Sequence, residues 1–415
     1  MSRFLVNCVQ NHSSNCELVA FDYSLDLDSD NISEKKVLSS DLRVYDNIVL
    51  GGTFDRLHSG HKILLSEAVI RCNKKLTVGV TDTEMLKTKK LWELIEPCEI
   101  RIEKVRHFLE DIEPNLEYDV IPISDMYGPT KSDPSFEMLI VSSETLRGGS
   151  KVNELRLKNN LNPLVIHSVE LLNDIRLDDE EEDKISSSNY RLRLLGTRIR
   201  EPEPSNVVNL PSMPCIIGLT GSIASGKSSI SHRLAALGAG VIDCDKIGHD
   251  QYRKGLPIYY KIINHFGSNI LDTNGEIDRK ALGRLVFSDK HQLDNLNKIL
   301  WPAILKKAKE LSLDLYAQGH KVIVMEAAVL IQAGWSEHCH EIWTCIIPPD
   351  EAVRRIKERT NLSEEEAKLR VMSQPSNLEQ VSNAHLVFCT LWRPEYTQKQ
   401  VERAWKGLME RLNSV

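Results

Sequence analysis

From Asp46 onward, short β-branched apolar runs alternate with segments whose apolar positions recur at helical spacing. "NIVLGG" is followed by "HKILLSEAVIRC", "KLTVGVT", "EIRIEKVRHFLEDI", "YDVIPI", "MLIVSS" and "NPLVIHSV". This rhythm predicts an α/β domain built on a parallel, doubly wound sheet. Ligands of such sheets sit at the carboxyl ends of strands, where "GGTF" and "SSETLRGG" fall. The pattern breaks at the acidic run Asp178 to Lys184, read as a solvated loop, and resumes at "ISSSNYRLRLLG". The proline-rich stretch "REPEPSNVVNLPSMP" then reads as a linker, with a boundary near residue 205. A second α/β series follows: "CIIGLTG", "KSSISHRLAALG", "AGVIDCD", a helical middle, "HKVIVMEAAVL", "EIWTCIIPP", "AHLVFCT" and a C-terminal amphipathic helix. The expected organisation is a segment 1–44 of unassigned role, a domain 45–199, a linker 200–213 and a second doubly wound domain 214–415.

Composition narrows the function classes. At 415 residues the chain exceeds one ordinary core. A net charge of −7 with interspersed signs gives no footprint for nucleic acid, so the expected partners are small molecules. The 9 cysteines are scattered, with no Cys-x-x-Cys pair, which suggests a reducing compartment. No run approaches the roughly 18–20 apolar residues of a membrane span. The expectation is a cytoplasmic protein, with docking of residues 1–44 at mitochondria left open and no protein partner indicated.

"GSIASGKS", Gly221 to Ser228, fits G-x-x-x-x-G-K-[ST], with a strand before it and a helix after. Backbone N–H groups of Gly221, Ser222, Ile223, Ala224, Ser225 and Gly226 would point at a triphosphate, with Ser229 close behind. Lys227 would bridge the β- and γ-phosphates, and Ser228 would hold Mg²⁺. The loop indicates ATP or GTP without naming the acceptor. The next strand ends in Asp243 and Asp245, either of which is placed to take a proton from an attacking hydroxyl; Asp245 suits the N-cap of the next helix equally well. Among Arg354, Arg355, Arg359 and Arg370, the assignment of a phosphate-covering lid falls on Arg355 and Arg359. Glu326, ending "VIVME", either holds Mg²⁺ through water or caps a helix. Cys244, between the two aspartates, reads as an apolar filler in preference to a redox-sensitive thiol.

These stretches, with "LGAGVIDCDKIGH", "FG", "WP" and "RRIKER", resemble dephospho-CoA kinases across residues 214–412. The resemblance implies a P-loop kinase domain with Asp245 as general base at a ribose 3′-hydroxyl and Arg355 as the first lid arginine. Trp301-Pro302 stands where bacterial members carry His-Pro, so no acceptor contact is assigned there.

In the first half, "HSGH" follows a strand and opens a helix, placing His58 and His61 one turn apart at a helix N-terminus. Three readings compete: capping or packing, a zinc site lacking its third ligand, and anion binding beside Gly51 and Gly52. With "ISSSNYR", the stretch resembles the paired H-x-G-H and I-S-S-T-x-x-R signatures of α/β nucleotidyltransferases. That resemblance implies a Rossmann-like fold and in-line attack on an α-phosphate, with His58, His61, Ser187 and Arg191 gripping the triphosphate. "VLGGTFDRLHSGHKILLSEA", "DVIPISDMYGP", "VSSETLRGG" and "DKISSSNYRLRLLG" further resemble eukaryotic phosphopantetheine adenylyltransferase. This implies ATP contacts at Gly51, Gly52, Thr53, Phe54, Gly60, Ser142, Glu144, Arg147, Ser186, Ser187, Ser188 and Arg191. Thr145, Asn153 and Arg156 match a second pattern near the nucleotide. Lys87 is the chosen phosphate lysine, with Lys89 and Lys90 as rivals.

In series, the halves resemble the animal-type bifunctional coenzyme A synthases over residues 44–412. The family implies adenylyl transfer from ATP to 4′-phosphopantetheine, then phosphorylation of dephospho-CoA, with Mg²⁺ serving both steps. A fusion acting on nicotinamide nucleotides, or a nucleotide-binding scaffold without turnover, are the alternatives.

Overall fold

A computed structural model describes residues 43–175, 178–203, 210–287, 289–360 and 362–414. The expected N-terminal segment, up to residue 42, and residues 204–209 of the expected linker lie outside them. The chain divides into two units, Met1–Leu192 and Arg193–Val415.

In the first unit β1 (Tyr45–Gly52), α1 (Ser59–Arg71), β2 (Cys72–Thr81), α2 (Cys98–Ile112), β3 (Glu117–Ile123), β4 (Met138–Ser142), α3 (Leu146–Lys158), β5 (Val165–Val169) and α4 (Ser187–Leu194) follow in order. The strands form one parallel sheet, β3-β2-β1-β4-β5. Crossovers leave β1 and β4 in opposite directions, which makes their carboxyl ends the switch point where a ligand fits. Ile48, Leu50, Leu76, Val78 and Val80 pack with Leu65, Ala68, Val105 and Leu109 of α1 and α2, so β1 is anchored in the middle of a core. On the other face Val49, Leu139 and Val141 pack on Val152 of α3. Burial on both faces explains why these strands read as continuous apolar runs.

The second unit holds β6 (Cys215–Gly221), α5 (Lys227–Ala236), β7 (Gly240–Asp243), α6 (Cys244–Gln251), α7 (Pro257–Phe266), α8 (Arg279–Phe287), α9 (Lys290–Ala317), β8 (Val322–Glu326), β9 (Glu341–Ile346), α10 (Pro349–Arg359), α11 (Glu364–Met372), α12 (Asn377–Ser382), β10 (Leu386–Cys389) and α13 (Pro394–Asn413). Its sheet is also fully parallel, in the order β10-β9-β6-β8-β7. Ile217, Leu219, Trp343 and Phe388 form its core with Leu234, Val401 and Leu408.

Residues 193–199, expected at the end of the first domain, run beside β10 instead. Gly196 N–H donates to Val387 O at 2.9 Å and Ile199 N–H to His385 O at 2.8 Å. Gly196 (φ 74°) approaches so closely that a Cβ would lie 2.1 Å from Gln400 O. Long-range contacts of this kind leave no local signature, so the proline-rich stretch alone suggested a later border.

Candidate active sites

Around the end of β1 the chain is held in a strained loop: Phe54 and Arg56 have φ of 51° and 48°, unusual for residues with side chains. The fully buried Asp55 holds this loop. It pairs with Arg191 at 2.7 Å and Arg56 at 3.0 Å, and accepts Glu96 N–H at 3.1 Å. The buried Arg101 adds three bonds, to the carbonyls of Glu96, Thr53 and Thr81. Neither Asp55 nor Arg101 was singled out from sequence; each acts through partners far along the chain.

His58 is the N-cap of α1, its Nδ1 accepting His61 N–H at 3.4 Å. The proton therefore belongs on Nε2, which lies 3.4 Å from Ser187 Oγ, and Ser187 donates to Asp55 O at 3.0 Å. The two imidazoles stack with centroids 3.7 Å apart, and His61 Nδ1 is buried without a hydrogen-bond partner. Capping and the anion reading are thus compatible: one ring caps while the other keeps a polar atom unspent. Among the described residues no three His, Cys, Asp or Glu side chains converge as metal ligands.

Burial pushes the His58 pKa down to about 4, against a smaller upward pull from Asp55. Burial, then the charges of His58 and Lys89, push His61 down to about 3. Both rings are neutral at pH 7. Since the ordinary value is 6.5, the unfolded chain takes up these protons first. Stability is expected to be level above pH 6.5 and to fall as pH drops from there toward about 4 and 3. Urea unfolding at pH 7 and pH 5 checks this: wild type should lose about 2 kcal/mol per ring more than a His58→Gln/His61→Gln variant.

Lys87, the lysine chosen from sequence, is exposed and bonds Glu84 at 2.7 and 2.9 Å. The lysine whose charge reaches His61 is Lys89. Its own pKa is lowered by burial of the ammonium and by the charges of Arg191 and Arg101. Lys87 is thus committed to Glu84, while the charge of its rival Lys89 acts on His61. Arg191 is 2% exposed and also donates to Lys90 O at 2.9 Å and Ser188 Oγ at 3.4 Å, so it braces the loop from below. Ser186 Oγ accepts Asn189 N–H at 3.2 Å.

Gly51, Gly52, Thr53 and Gly60 lie between the end of β1 and the first turn of α1. Thr53 Oγ1 accepts from the Thr81 hydroxyl at 3.2 Å. Ser142 ends the neighbouring β4 and shares a capping box with Thr145, while Glu144 is paired with Lys184. Arg147 is exposed in the first turn of α3. Asn153 and Arg156 do not join them. Asn153 clamps both backbone groups of Leu164 at 2.8 and 2.9 Å, and Arg156 binds the carbonyls of Asn162, Thr130 and Asp133. These contacts precede β4 and β5, at the amino end of the sheet.

In the second unit the loop from Gly221 to Ser228 wraps over the end of β6. Gly221 has φ of 143°, and a Cβ there would meet Cys345 O at 2.3 Å. Ala224 takes φ of 60°, secured by Arg355, which donates to Ala224 O at 3.2 Å and to Thr390 Oγ1 and O at 2.8 and 2.6 Å. Ile223 N–H donates to Gln374 Oε1 at 2.6 Å, and Thr390 Oγ1 to Ser225 O at 2.8 Å. Gln374 and Thr390 had not been marked from sequence. Ser222 supplies a carbonyl to Lys227, and Gly226 precedes the first turn of α5, which holds Ser229.

Lys227 Nζ donates to Gly221 O at 2.7 Å and Ser222 O at 3.2 Å; burial lowers its pKa, while Cys345, Asp245 and Glu326 raise it. Arg359 is exposed, and its charge is also felt at Lys227. Glu326 is 7% exposed and accepts from Ser228 Oγ at 2.8 Å and Ser231 Oγ at 2.6 Å.

Asp243 caps α6 by accepting Lys246 N–H at 2.9 Å. That leaves Asp245 in the first turn with its carboxylate uncommitted to the cap. Removal of hydration raises its pKa; Lys227 opposes this, and Asp243 and Glu326 reinforce it. A carboxylate so placed is a better base than ordinary aspartate. Cys244 is buried, and burial pushes its thiol pKa up, as a filler requires.

The comparisons with known proteins agree with this division. A family model described as dephospho-CoA kinase matches residues 215–390, and one described as cytidylyltransferase-like matches residues 49–193. A dephospho-CoA kinase of Carboxydothermus hydrogenoformans is 38% identical over 45% of this chain and 90% of its own length. That of Geobacter sulfurreducens is 37% identical over 46% of this chain and 96% of its own. A phosphopantetheine adenylyltransferase of Saccharomyces cerevisiae is 36% identical over 45% of this chain, which spans 59% of that relative's length. The fold and sites define two nucleotide-handling α/β domains, a nucleotidyltransferase-like one and a P-loop kinase. Through the second, the chain belongs to the dephospho-CoA kinase family.

Proposed function

We propose that the protein carries out two successive transfers from ATP: adenylylation of 4′-phosphopantetheine to dephospho-CoA, then phosphorylation of the ribose 3′-hydroxyl to CoA, the last two steps of coenzyme A synthesis. The observation carrying this reading is the presence in one chain of a stacked histidine pair at a nucleotidyltransferase switch point and a complete phosphate loop in a dephospho-CoA kinase fold.

In the first step a phosphate oxygen of phosphopantetheine attacks the α-phosphorus of ATP, and pyrophosphate leaves. No covalent intermediate is needed, so the protein's part is positioning and charge stabilisation. His61 and Lys89 supply donors where charge accumulates, and the N-terminus of α1 adds positive potential. His58, Ser187, Asp55 and Arg191 hold that arrangement. In the second step the 3′-hydroxyl attacks the γ-phosphorus, Asp245 accepts its proton and ADP leaves. Lys227, Arg355 and Arg359 meet the transferring phosphates.

Mg²⁺ fits the second site. The buried Glu326 carboxylate and the Ser228 hydroxyl stand together at the foot of the phosphate loop, the sparse oxygen set typical of an ion that keeps waters and substrate phosphates as its other ligands. When bound, it neutralises charge on the β- and γ-phosphates. No helix among the described residues is long and apolar enough to cross a membrane.

Chromatography of products from 4′-phosphopantetheine, ATP and Mg²⁺ tests the proposal. Wild type should yield CoA, and Asp245→Asn should accumulate dephospho-CoA with CoA formation slowed about 10²- to 10⁴-fold. Adenylylation of nicotinamide mononucleotide but not of phosphopantetheine would overturn the acceptor. ATP binding without turnover would overturn catalysis altogether.

A further inference from the structure

We infer that Arg101 is a positioning residue for adenylyl transfer, fixing the peptide groups at the carboxyl ends of β1 and β2 that face the nucleotide. The residue is 1% exposed. Nε donates to Glu96 O at 2.7 Å, Nη1 to Thr53 O at 2.7 Å and Nη2 to Thr81 O at 2.9 Å. Thr81 ends β2, and Thr53 directly follows β1. One planar fork thus ties together the two strand ends and the chain leading into α2, a geometry that lysine's single ammonium does not reproduce.

The bond to Thr53 has a directional consequence. Within a trans peptide the C=O and the following N–H point in opposite directions. With Thr53 O drawn to Arg101, the Phe54 N–H is turned the other way, and the chain enters the left-handed conformations of Phe54 and Arg56 that deliver His58 to the cap of α1. Left-handed conformations of such residues are strained and persist only where surrounding bonds impose them. Arg101 and Asp55 are those bonds here, one on the carbonyl side of the loop and one within it.

Charge adds a second contribution. All three acceptors of Arg101 are neutral carbonyls, so its positive charge is solvated by dipoles and remains available to its surroundings. Its field reaches Lys89, where it acts alongside that of Arg191. A buried cation below a phosphate site favours the anion in the ground state and as charge develops on the leaving pyrophosphate.

The same sheet supplies a matched control. Arg156 is 0% exposed and also spans three backbone carbonyls, those of Asn162, Thr130 and Asp133. Those carbonyls precede β4 and β5, so this plug closes the amino end of the sheet, away from the site. The two arginines are alike in burial and in reaching three backbone carbonyls; they differ in which end of the sheet they fasten and in that the buried Nη2 of Arg156 has no hydrogen-bond partner.

The inference rests on the adenylyl-transfer reading of the first unit, and the experiment separates the two. Adenylyl transfer from ATP to 4′-phosphopantetheine is measured for wild type, Arg101→Ala, Arg101→Lys and Arg156→Ala. Phosphorylation of added dephospho-CoA in the same samples reports on the second unit, and rates are scaled to the folded fraction of the first unit. Arg101→Ala should lose about 10²-fold in kcat, Arg101→Lys should recover part of that loss, and added guanidinium should partly restore Arg101→Ala. Arg156→Ala should lower stability comparably yet stay within about 3-fold of wild type in turnover. Undiminished transfer in folded Arg101→Ala, or an equal loss in Arg156→Ala, overturns the inference alone. Absence of transfer in folded wild type overturns the reading of the first unit and the inference with it. If Arg101→Ala does not fold, Arg101→Lys decides by the same comparison.

Discussion

Lys227→Ala is expected to stop the second reaction while leaving the first intact, so that dephospho-CoA accumulates and CoA formation falls by about 10²- to 10³-fold or more. The ammonium sits at the centre of the phosphate loop, within the fields of Asp245, Glu326 and Arg359. On the proposed mechanism, removing it withdraws a full charge from between the β- and γ-phosphates, where in-line transfer builds negative charge. Backbone N–H groups remain, so nucleotide binding should weaken less than turnover. A product assay supplied with dephospho-CoA checks the loss, and the same preparation supplied with phosphopantetheine checks that the first reaction survives. Loss of both reactions in folded protein would mean that the two sites do not work separately.

His61→Ala should give the converse pattern, about 10²- to 10³-fold less dephospho-CoA formed and no change in phosphorylation of added dephospho-CoA. Its ring stacks on His58 and lies 5.3 Å from Phe54, which fixes its plane. Its unpartnered Nδ1 marks it as the ring with capacity to spare, whereas His58 is occupied by the cap and by Ser187. His61→Asn, which keeps an amide donor near the ring position, should recover more activity than alanine. Equal loss in both variants would point to packing as the role of the ring.

The phosphate loop was legible in the sequence because its spacing is set by backbone geometry: Gly221 adopts a conformation closed to other residues, and Lys227 must follow Gly226 directly. The alternation of strands and helices was legible for the same reason, since buried parallel strands leave continuous apolar runs. The acceptor carboxylate was not separable by pattern. Asp243 and Asp245 are equivalent on local grounds, and only the bond from Lys246 N–H shows which one caps the helix. Lys87 and Lys89 look equivalent in sequence, and only the fold shows one paired with Glu84 and the charge of the other acting on His61. Arg101, Arg156, Gln374 and Thr390 act across tens of residues on backbone atoms, and a backbone acceptor leaves no trace in the identity of the residue that carries it.

The pose of Lys227 has a calorimetric consequence. Its ammonium already holds two loop carbonyls, and the Ser228 hydroxyl already holds Glu326. Nucleotide entry is therefore an exchange of partners, and the heat released on titrating ATP into the second site is the difference between two well-bonded arrangements. Affinity there should owe more than usual to the displacement of water and counterions, with a correspondingly small enthalpy.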